Sequence, residues 1–328
     1  MAAHLFAAID VGSFELEMGI YETTSRNGLR EIDHLRHVIS LGRDTYHTGK
    51  ISYHLVDEMC QVLEEFAQVM KSYQVEDYRA YATSAMREAK NSQIILEQIR
   101  VRTGIQVQVI SNSEQRFLGY KAIAMKEAEF QKIIQKGTAI ADVSFGSLQI
   151  SLFDKDSLVS TQNIQQGILR LRENLSGVWS DRQTVLGIFE DMVDNELYAF
   201  KKMYLKDRDI KNLICIGESI LYLARDEVAG KRVDRISAAD FQKFYEKLIQ
   251  MPVDQIEDRF GVNQEYAHLL IPAAIIYKQI LEMTGAEMLW VPGIRMCDGI
   301  AADYAEKQKY LKLSLIHISE PTRRTPIS

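Results

Sequence analysis

The sequence predicts an α/β protein made of two similar lobes. The segments 10–21 and 142–153 align without a gap, and each reads as an apolar run ending in Asp, a tight Gly/Ser turn and an alternating strand. Strands also alternate with amphipathic helices along much of the chain, which is typical of an α/β lobe. A length of 328 residues fits about two domains at roughly 150 residues each.

The first lobe is expected to span residues 1–125. Its strongest helix signal follows Ser52 as N-cap, where apolar residues recur at three- and four-residue spacing up to Met70. Ser111, Asn112 and Ser113 offer N-cap oxygens to a long helix that carries the chain towards the second lobe. The predicted strands are 5–10, 15–21, 32–39, 78–82 and 106–110, and the further helices are 92–103 and 114–130.

The second lobe is expected to span residues 126–312. Its predicted strands are 138–142, 148–153, 213–216 and 287–291. Helix is predicted at 181–199 after Ser180 as N-cap, over most of 238–284 with breaks near Pro252 and Gly261, and at 298–309. The sequence leaves open whether the last helix packs back on the first lobe. Residues 313–328 resemble translated sequencing-adapter DNA, so we interpret them as a non-native tail.

Composition narrows the class of protein. Apolar residues make up 46% of the chain and charged residues 26%, as in ordinary globular proteins. The net charge of −6 argues against nucleic-acid and membrane partners, because those surfaces depend on clustered Lys and Arg. Three cysteines without close pairing indicate neither a disulfide framework nor a zinc site. With no signal peptide or long apolar run, a cytoplasmic protein is expected. Whether it forms a homodimer stays open.

The two aspartates of the repeat, Asp10 and Asp142, are the first candidates for chemistry. A carboxylate at a strand end can hold a divalent cation, while small residues in the adjacent turn let backbone N–H groups approach phosphate oxygens. A single Asp before such a turn is also a common turn former. The matched pair favours the functional interpretation.

Two helix starts offer further candidates. Residues 83–91 follow a strand, and their hydroxyls, backbone donors and Arg87 could converge on an anion, although a solvated helix start explains them equally well. Glu114 and Gln115 begin the predicted long helix. A Glu there could activate water, but complementing the helix dipole is the simpler role. The loop 217–219 is more simply an ordinary strand-to-helix turn.

Taken together, these segments resemble the exopolyphosphatase and guanosine pentaphosphate phosphohydrolase (Ppx/GppA) family. The resemblance lies in Ala8–Ser13, Ala82–Asn91, Ile110–Gln115, Asp142–Gln149 and Ile271–Ala273. It implies the two-lobed actin-like ATPase (ribonuclease H-like) fold, duplicated, with a cleft between the lobes. It also implies release of terminal phosphate from polyphosphate or guanosine pentaphosphate by metal-assisted attack of water.

The resemblance also assigns roles to residues. Asp10 and Asp142 would hold Mg²⁺, and Glu114 and Gln115 stand at the catalytic position. The implied phosphate-binding residues are Gly12, Ser13, Thr83, Ser84, Arg87, Gly146 and Ser147.

This chain departs from the family pattern at several of these places. Phe14 replaces the Asn of the first turn, and Phe145 lies in a second turn that is usually glycine-rich. Gln115 aligns with the catalytic glutamate, and a neutral amide cannot accept a proton from water. Gln149 likewise replaces a carboxylate, and Tyr266 stands where an Arg is usual.

The sequence therefore supports two functional hypotheses. The leading one is a phosphohydrolase of this family, in which Glu114 could take over as base. The alternative is a catalytically impaired member that binds polyphosphate or a guanosine phosphate as a sensor. A sugar-kinase-like function shares the fold but has no recognisable adenosine or sugar motif here, and fold alone does not assign function.

Overall fold

The structure is a computed structural model that describes residues 4–24, 28–155, 157–174, 182–206, 208–225 and 231–310. The chain divides into two compact units. Unit 1 comprises Met1–Glu127 and Met296–Ser328, and unit 2 comprises Ala128–Arg295. Each unit contains one mixed sheet flanked by helices, which confirms the predicted α/β class.

Unit 1 is built on a five-stranded sheet of order β3-β2-β1-β4-β5. Its first segment comprises β1 (His4–Val11), β2 (Glu15–Thr24), β3 (Gly28–Val38), α1 (Leu41–Thr48), α2 (Tyr53–Ser72), β4 (Asp77–Ala82), α3 (Ser84–Glu88), α4 (Ser92–Thr103), β5 (Val107–Val109) and α5 (Asn112–Ala124). Helix α6 (Glu127–Ile134) follows at the boundary between the units.

Unit 2 is built on a six-stranded sheet of order β10-β11-β9-β6-β7-β8. Its elements are β6 (Thr138–Val143), β7 (Leu148–Asp154), β8 (Ser157–Ile164), α7 (Ile168–Asn174), α8 (Arg182–Phe200), a π-helical turn (Lys201–Leu205), β9 (Asn212–Ile216), α9 (Glu218–Leu223), β10 (Arg235–Ser237), α10 (Ala238–Leu248), α11 (Val253–Phe260), α12 (Gln264–Thr284) and β11 (Met288–Trp290). Helix α13 (Met296–Lys307) then returns to unit 1.

Side chains of β1 alternate between two apolar cores, as the two-residue period of a strand requires. Ala7, Ile9 and Val11 belong to the core that also contains the buried face of α2. Phe6 and Ala8 point the other way, into a core shared with α5 and α13. Central strand β1 is therefore covered by helices on both faces of the sheet.

The two sheets share a topology, which is the structural expression of the sequence repeat. In each unit an antiparallel meander (β1-β2-β3 or β6-β7-β8) is extended by parallel strands beyond its first member, β4 and β5 in one case and β9 and β11 in the other. A duplicated α/β lobe accounts for this correspondence.

The single helix predicted at 114–130 is wrong. The structure contains α5 and α6 instead, separated by a turn at Met125 and Lys126. Met125 and Lys126 include neither Gly nor Pro, so no local breaker residue reveals the turn. The helices α1 and α7 and strand β8 were not predicted, because they are short or weakly patterned, whereas α3 begins at the helix start expected after β4. Ser180, Asp181 and the proposed tail lie outside the described residues.

None of the helices in the described ranges has the length and apolarity needed to cross a bilayer.

Candidate functional site

The two Asp-ended hairpins have the same strand register. In unit 1, Asp10 of β1 lies opposite Glu17 of β2. In unit 2, Asp142 of β6 lies opposite Gln149 of β7. Because directly opposed residues project from the same face of a sheet, each Asp shares its face with the polar residue of its neighbour.

The turns of the two hairpins are also equivalent. In unit 1 the Gly12 backbone N–H donates to the Glu15 carbonyl at 3.0 Å, and in unit 2 the Ser144 N–H donates to the Ser147 carbonyl at 3.0 Å. The gapless alignment of the repeat thus corresponds to matching backbone hydrogen bonds. Gly12, Gly146 and Ser147, expected to face phosphate, all lie in these turns.

Three hydroxyl groups meet beside the first turn. Ser13 Oγ lies 2.7 Å from Tyr46 Oη and 3.0 Å from Ser84 Oγ, and the Tyr46 and Ser84 oxygens are 2.7 Å apart. The Ala85 backbone N–H donates to Ser13 Oγ at 3.2 Å. We call Ser13, Tyr46 and Ser84 the hydroxyl triangle. Two predicted phosphate-binding residues are therefore together in unit 1, with Thr83 next in sequence to one of them.

Arg87 is directed at the start of α5. Its guanidinium donates to the Ile110 carbonyl at 2.7 Å and to Asn112 Oδ1. Burial lowers the pKa of Arg87 from its usual value. These bonds join α3 to α5, so Arg87 has a structural role in addition to the predicted role in phosphate binding.

Glu114 takes part in a capping box at the start of α5. Its Oε2 accepts from the Ser111 backbone N–H and from Ser111 Oγ, each at 2.9 Å, while its own N–H donates to Ser111 Oγ at 3.2 Å. The next residue, Gln115, is 6% exposed. Its side-chain oxygen accepts no hydrogen bond from the described residues. The helix cap thus positions a buried amide at the predicted catalytic place.

Unit 1 concentrates carboxylates on the face of Asp10. Glu15 and Glu17 are 4% and 2% exposed, and their carboxylate oxygens come within 4.8 Å of each other. Burial raises the pKa of Glu15 to about 8, and the neighbouring Glu17 and Asp10 charges add to the rise. Arg36 opposes the rise, with its Nε 3.2 Å from Glu15 Oε2.

The second turn is filled by aromatic side chains. Phe145 is 7% exposed and meets Tyr266 edge to face, with ring centroids 5.9 Å apart. Tyr266 also packs on Tyr222 at 4.9 Å. In unit 2 an aromatic pair thus occupies the positions at which the family resemblance implies a glycine-rich turn and an Arg.

The start of α7 closes over the same turn. The backbone N–H groups of Ile168 and Leu169 donate to the carbonyls of Ser144 and Phe145 at 3.1 and 2.9 Å. A Cβ on Gly167 would lie 2.4 Å from the backbone of Gly146, so only glycine permits this approach. Helix α7 therefore fixes the conformation of the second turn.

A row of amides continues from Asp142 across the sheet of unit 2. Gln149 lies opposite Asp142 on one side and Asn163 of β8 on the other. Gln149 is 2% exposed, and neither atom of its amide has a hydrogen-bond partner among the described residues. A buried amide without partners costs about 1–3 kcal/mol, so a ligand or water is the expected partner.

The residues present differ in how well they suit Mg²⁺. The face around Asp10 supplies carboxylates whose buried oxygens lack full hydrogen bonding within the described chain, and hard cations prefer such oxygens. The residue opposite Asp142 is the amide Gln149, which supplies at most a neutral oxygen. The donor set in unit 1 therefore fits a divalent cation better than the set in unit 2.

Sequence reasoning missed Tyr46 and Gly167. Tyr46 lies on α1, an eight-residue helix that the sequence does not reveal, since it contains Gly and Thr and its apolar face is short. Gly167 precedes the unpredicted α7. Its position 20 residues beyond the second turn gives no signal of contact with that turn.

The comparison with protein families decides the classification. Residues 20–303 match the Ppx/GppA phosphatase family. The chain belongs to this family. Among curated relatives, the chain is similar to exopolyphosphatase 1 of Mycobacterium tuberculosis. The two are 23% identical over 275 residues, which cover 82% of this chain and 78% of that protein. The guanosine-5'-triphosphate,3'-diphosphate pyrophosphatase of Vibrio parahaemolyticus is 20% identical over 92% of this chain and 60% of that protein.

Solved structures confirm the Ppx/GppA fold. The Aquifex aeolicus family member superposes with a TM-score of 0.73 at 22% identity, covering 94% of this chain and 99% of that one. An exopolyphosphatase from Cytophaga hutchinsonii gives a TM-score of 0.80 at 17% identity, covering 93% and 98%. The family match confirms the predicted family, and these structures confirm the predicted fold.

Proposed function

We propose that this Ppx/GppA protein is a slow phosphohydrolase that releases terminal phosphate from polyphosphate or guanosine pentaphosphate with Mg²⁺. The observation that carries the proposal is the repeated hairpin. Asp10 and Asp142 lie at equivalent strand ends, next to turns with the same backbone hydrogen bond. Such strand ends suit cations and phosphate oxygens.

The reaction assigns different tasks to the residues. A water oxygen forms a bond to the terminal phosphorus, the bridging P–O bond breaks, and the shortened phosphate chain leaves. The water proton passes to the Glu114 carboxylate. Because Ser111 donates two hydrogen bonds to this carboxylate, it is a weaker base and the proton transfer is slow. Gln115 orients water without accepting its proton. Bound Mg²⁺ would neutralise charge on the transferring group, and Asp10 is the strand-end carboxylate of unit 1 that would hold it.

The second candidate function is a sensor that binds the same phosphate compounds without turnover. The observation favouring it is the neutral amide of Gln115 at the place of the catalytic base, together with the engagement of Glu114 in a helix cap. Loss of a general base typically costs about 10²–10⁴ in rate. A protein of this kind would retain binding and transmit it to a partner.

One assay distinguishes the two candidates. Phosphate release from long-chain polyphosphate and from guanosine pentaphosphate is measured with Mg²⁺ for the unmodified chain, Gln115→Glu and Glu114→Ala. Gln108→Glu, at an exposed position of β5, is the control for an added charge in unit 1. Thermal unfolding of each variant checks that it is folded.

The hydrolase proposal expects measurable release by the unmodified chain, its loss in Glu114→Ala, and a rise of about 100-fold in Gln115→Glu. Release by Gln115→Glu alone would overturn the proposal in favour of the sensor. If no variant releases phosphate but either compound raises the thermal midpoint, the sensor is again supported.

A further inference from the structure

We propose that Glu15 and Glu17 of unit 1 form a divalent-cation site. This site would hold Mg²⁺ or Mn²⁺ through one carboxylate oxygen from each residue. It requires neither a phosphate ligand nor turnover, so it stands independently of the proposed function. Because the two side chains come from a single strand, unit 1 alone supplies the ligands.

The first support is geometric. Glu15 and Glu17 are two residues apart on β2, so they project from the same face of the sheet. Their carboxylate oxygens come within 4.8 Å of each other. One or two carboxylates, with water completing the shell, are the usual protein ligands of Mg²⁺.

The second support is the lack of hydrogen bonds. Both side chains are more than nine-tenths buried. Among the residues that the structure describes, Glu15 Oε1, Glu15 Oε2 and Glu17 Oε1 accept no hydrogen bond. Buried polar atoms are ordinarily satisfied, and an unsatisfied buried carboxylate is expensive. Arg36 and His34 approach the Oε2 atoms of the two residues, so Glu15 Oε1 and Glu17 Oε1 are the atoms offered to a further cation.

The charges around the pair lead to the same conclusion. Asp10 lies opposite Glu17 and adds a third carboxylate. Arg36 approaches Glu15 at 3.2 Å, and His34 Nε2 lies 3.8 Å from Glu17 Oε2. The pair therefore lies beside a third carboxylate, and a divalent ion would offset the repulsion among these groups.

The fold itself does not require the acidic pair. The matching positions of the unit 2 hairpin are Ser147 and Gln149, and that hairpin keeps the same register and turn. Burying two carboxylates lowers stability, and the unit 2 hairpin forms without them, so we attribute the acidic pair to ligand binding.

The test measures Mn²⁺ binding by titration calorimetry on the full chain stripped with EDTA, with no phosphate compound present. The variant is Glu15→Gln/Glu17→Gln, which keeps the shape of the side chains. Glu22→Gln is the matched control, because Glu22 lies on the same strand and pairs with Arg30 at 2.9 Å. Asp142→Asn tests the metal role proposed for unit 2 separately.

The double variant is expected to lose about tenfold or more in Mn²⁺ affinity, while Glu22→Gln stays unchanged. Mn²⁺ should also raise the thermal midpoint of the unmodified chain but not of the double variant. Equal affinity in the double variant, or no Mn²⁺ uptake by the unmodified chain, overturns the proposal. If the double variant does not fold, the single variant Glu17→Gln, which leaves the Glu15–Arg36 ion pair in place, is measured instead with the same expected loss. Cation binding without phosphate release would contradict only the hydrolase proposal.

Discussion

Phe145, in the turn that follows Asp142, packs edge to face against Tyr266 of α12, with the ring centroids 5.9 Å apart. Both residues are almost completely buried. Tyr266, at the position where the family resemblance implies an Arg, therefore makes an aromatic contact with Phe145 of the turn. The two departures from the pattern are physically coupled rather than independent losses.

Phe145→Ala is expected to lower the free energy of unfolding by about 3 kcal/mol, because truncating a buried Phe removes its transfer free energy and leaves a cavity. Urea unfolding measures the change. Tyr198→Ala is the control, since Tyr198 is 62% exposed in the same unit and should give less than about 0.5 kcal/mol. Equal effects of the two substitutions would show that Phe145 does not stabilise the turn.

Much of the fold follows from the sequence because long amphipathic patterns are strong signals. Helix α4 has the predicted bounds, and α2 buries the apolar face that its spacing indicates. The repeat also predicted both hairpins. The break between α5 and α6 escaped prediction, since the turn contains neither Gly nor Pro.

Tertiary contacts limit what the sequence shows of the site. Tyr46 joins Ser13 and Ser84 from a short helix 33 residues beyond Ser13, and no local pattern marks it. The burial of Glu15 and Glu17 was also missed. Alternation along β2 predicted which residues share a face, but not that both faces of the strand are buried.

Tyr46→Phe tests the hydroxyl triangle. Removing the hydroxyl leaves Ser13 and Ser84 with one partner fewer, which is expected to cost about 1 kcal/mol of stability. If the triangle orders the phosphate-binding residues, affinity for long-chain polyphosphate should fall as well. Tyr73→Phe is the control, because its hydroxyl donates to Asp33 at 2.7 Å at an exposed site of the same unit. Unchanged polyphosphate affinity in Tyr46→Phe would separate the triangle from binding.

The stability of the EDTA-treated protein is expected to depend on pH through Glu15. In the folded chain its pKa is about 8, above the ordinary value of 4.5. Between these values the folded state holds a proton that the unfolded state has released, so stability falls as pH rises from about 5 to 8, by at most about 1.4 kcal/mol per pH unit. Urea unfolding across this range should show a shallower slope for Glu15→Gln. A slope identical in the variant would contradict the assignment.

Arg87→Lys separates a structural role from a ligand role. Lysine keeps the charge but cannot reproduce the two hydrogen bonds to the Ile110 carbonyl and Asn112 Oδ1, so a loss of about 1–2 kcal/mol of stability is expected. Arg100→Lys, at an exposed ion pair with Glu97, should leave the urea midpoint unchanged. A variant with normal stability but weaker polyphosphate binding would instead assign Arg87 to the ligand alone.

Lys121 and Lys307 offer a matched pair for testing how α13 is held within unit 1. Both pair with Asp303, Lys121 at 2.6 Å and Lys307 at 2.9 Å, but Lys121 is 3% exposed and Lys307 59%. Lys121 also reaches Glu306 at 2.6 Å. Lys121→Met leaves two carboxylates without their buried partner, so the free energy of unfolding is expected to fall by about 2 kcal/mol. The loss is smaller than for a fully buried pair, because Glu306 is partly exposed. Lys307→Met should cost less than about 0.5 kcal/mol, because water screens the exposed pair. Equal losses in urea unfolding would mean that burial does not decide the strength of these pairs.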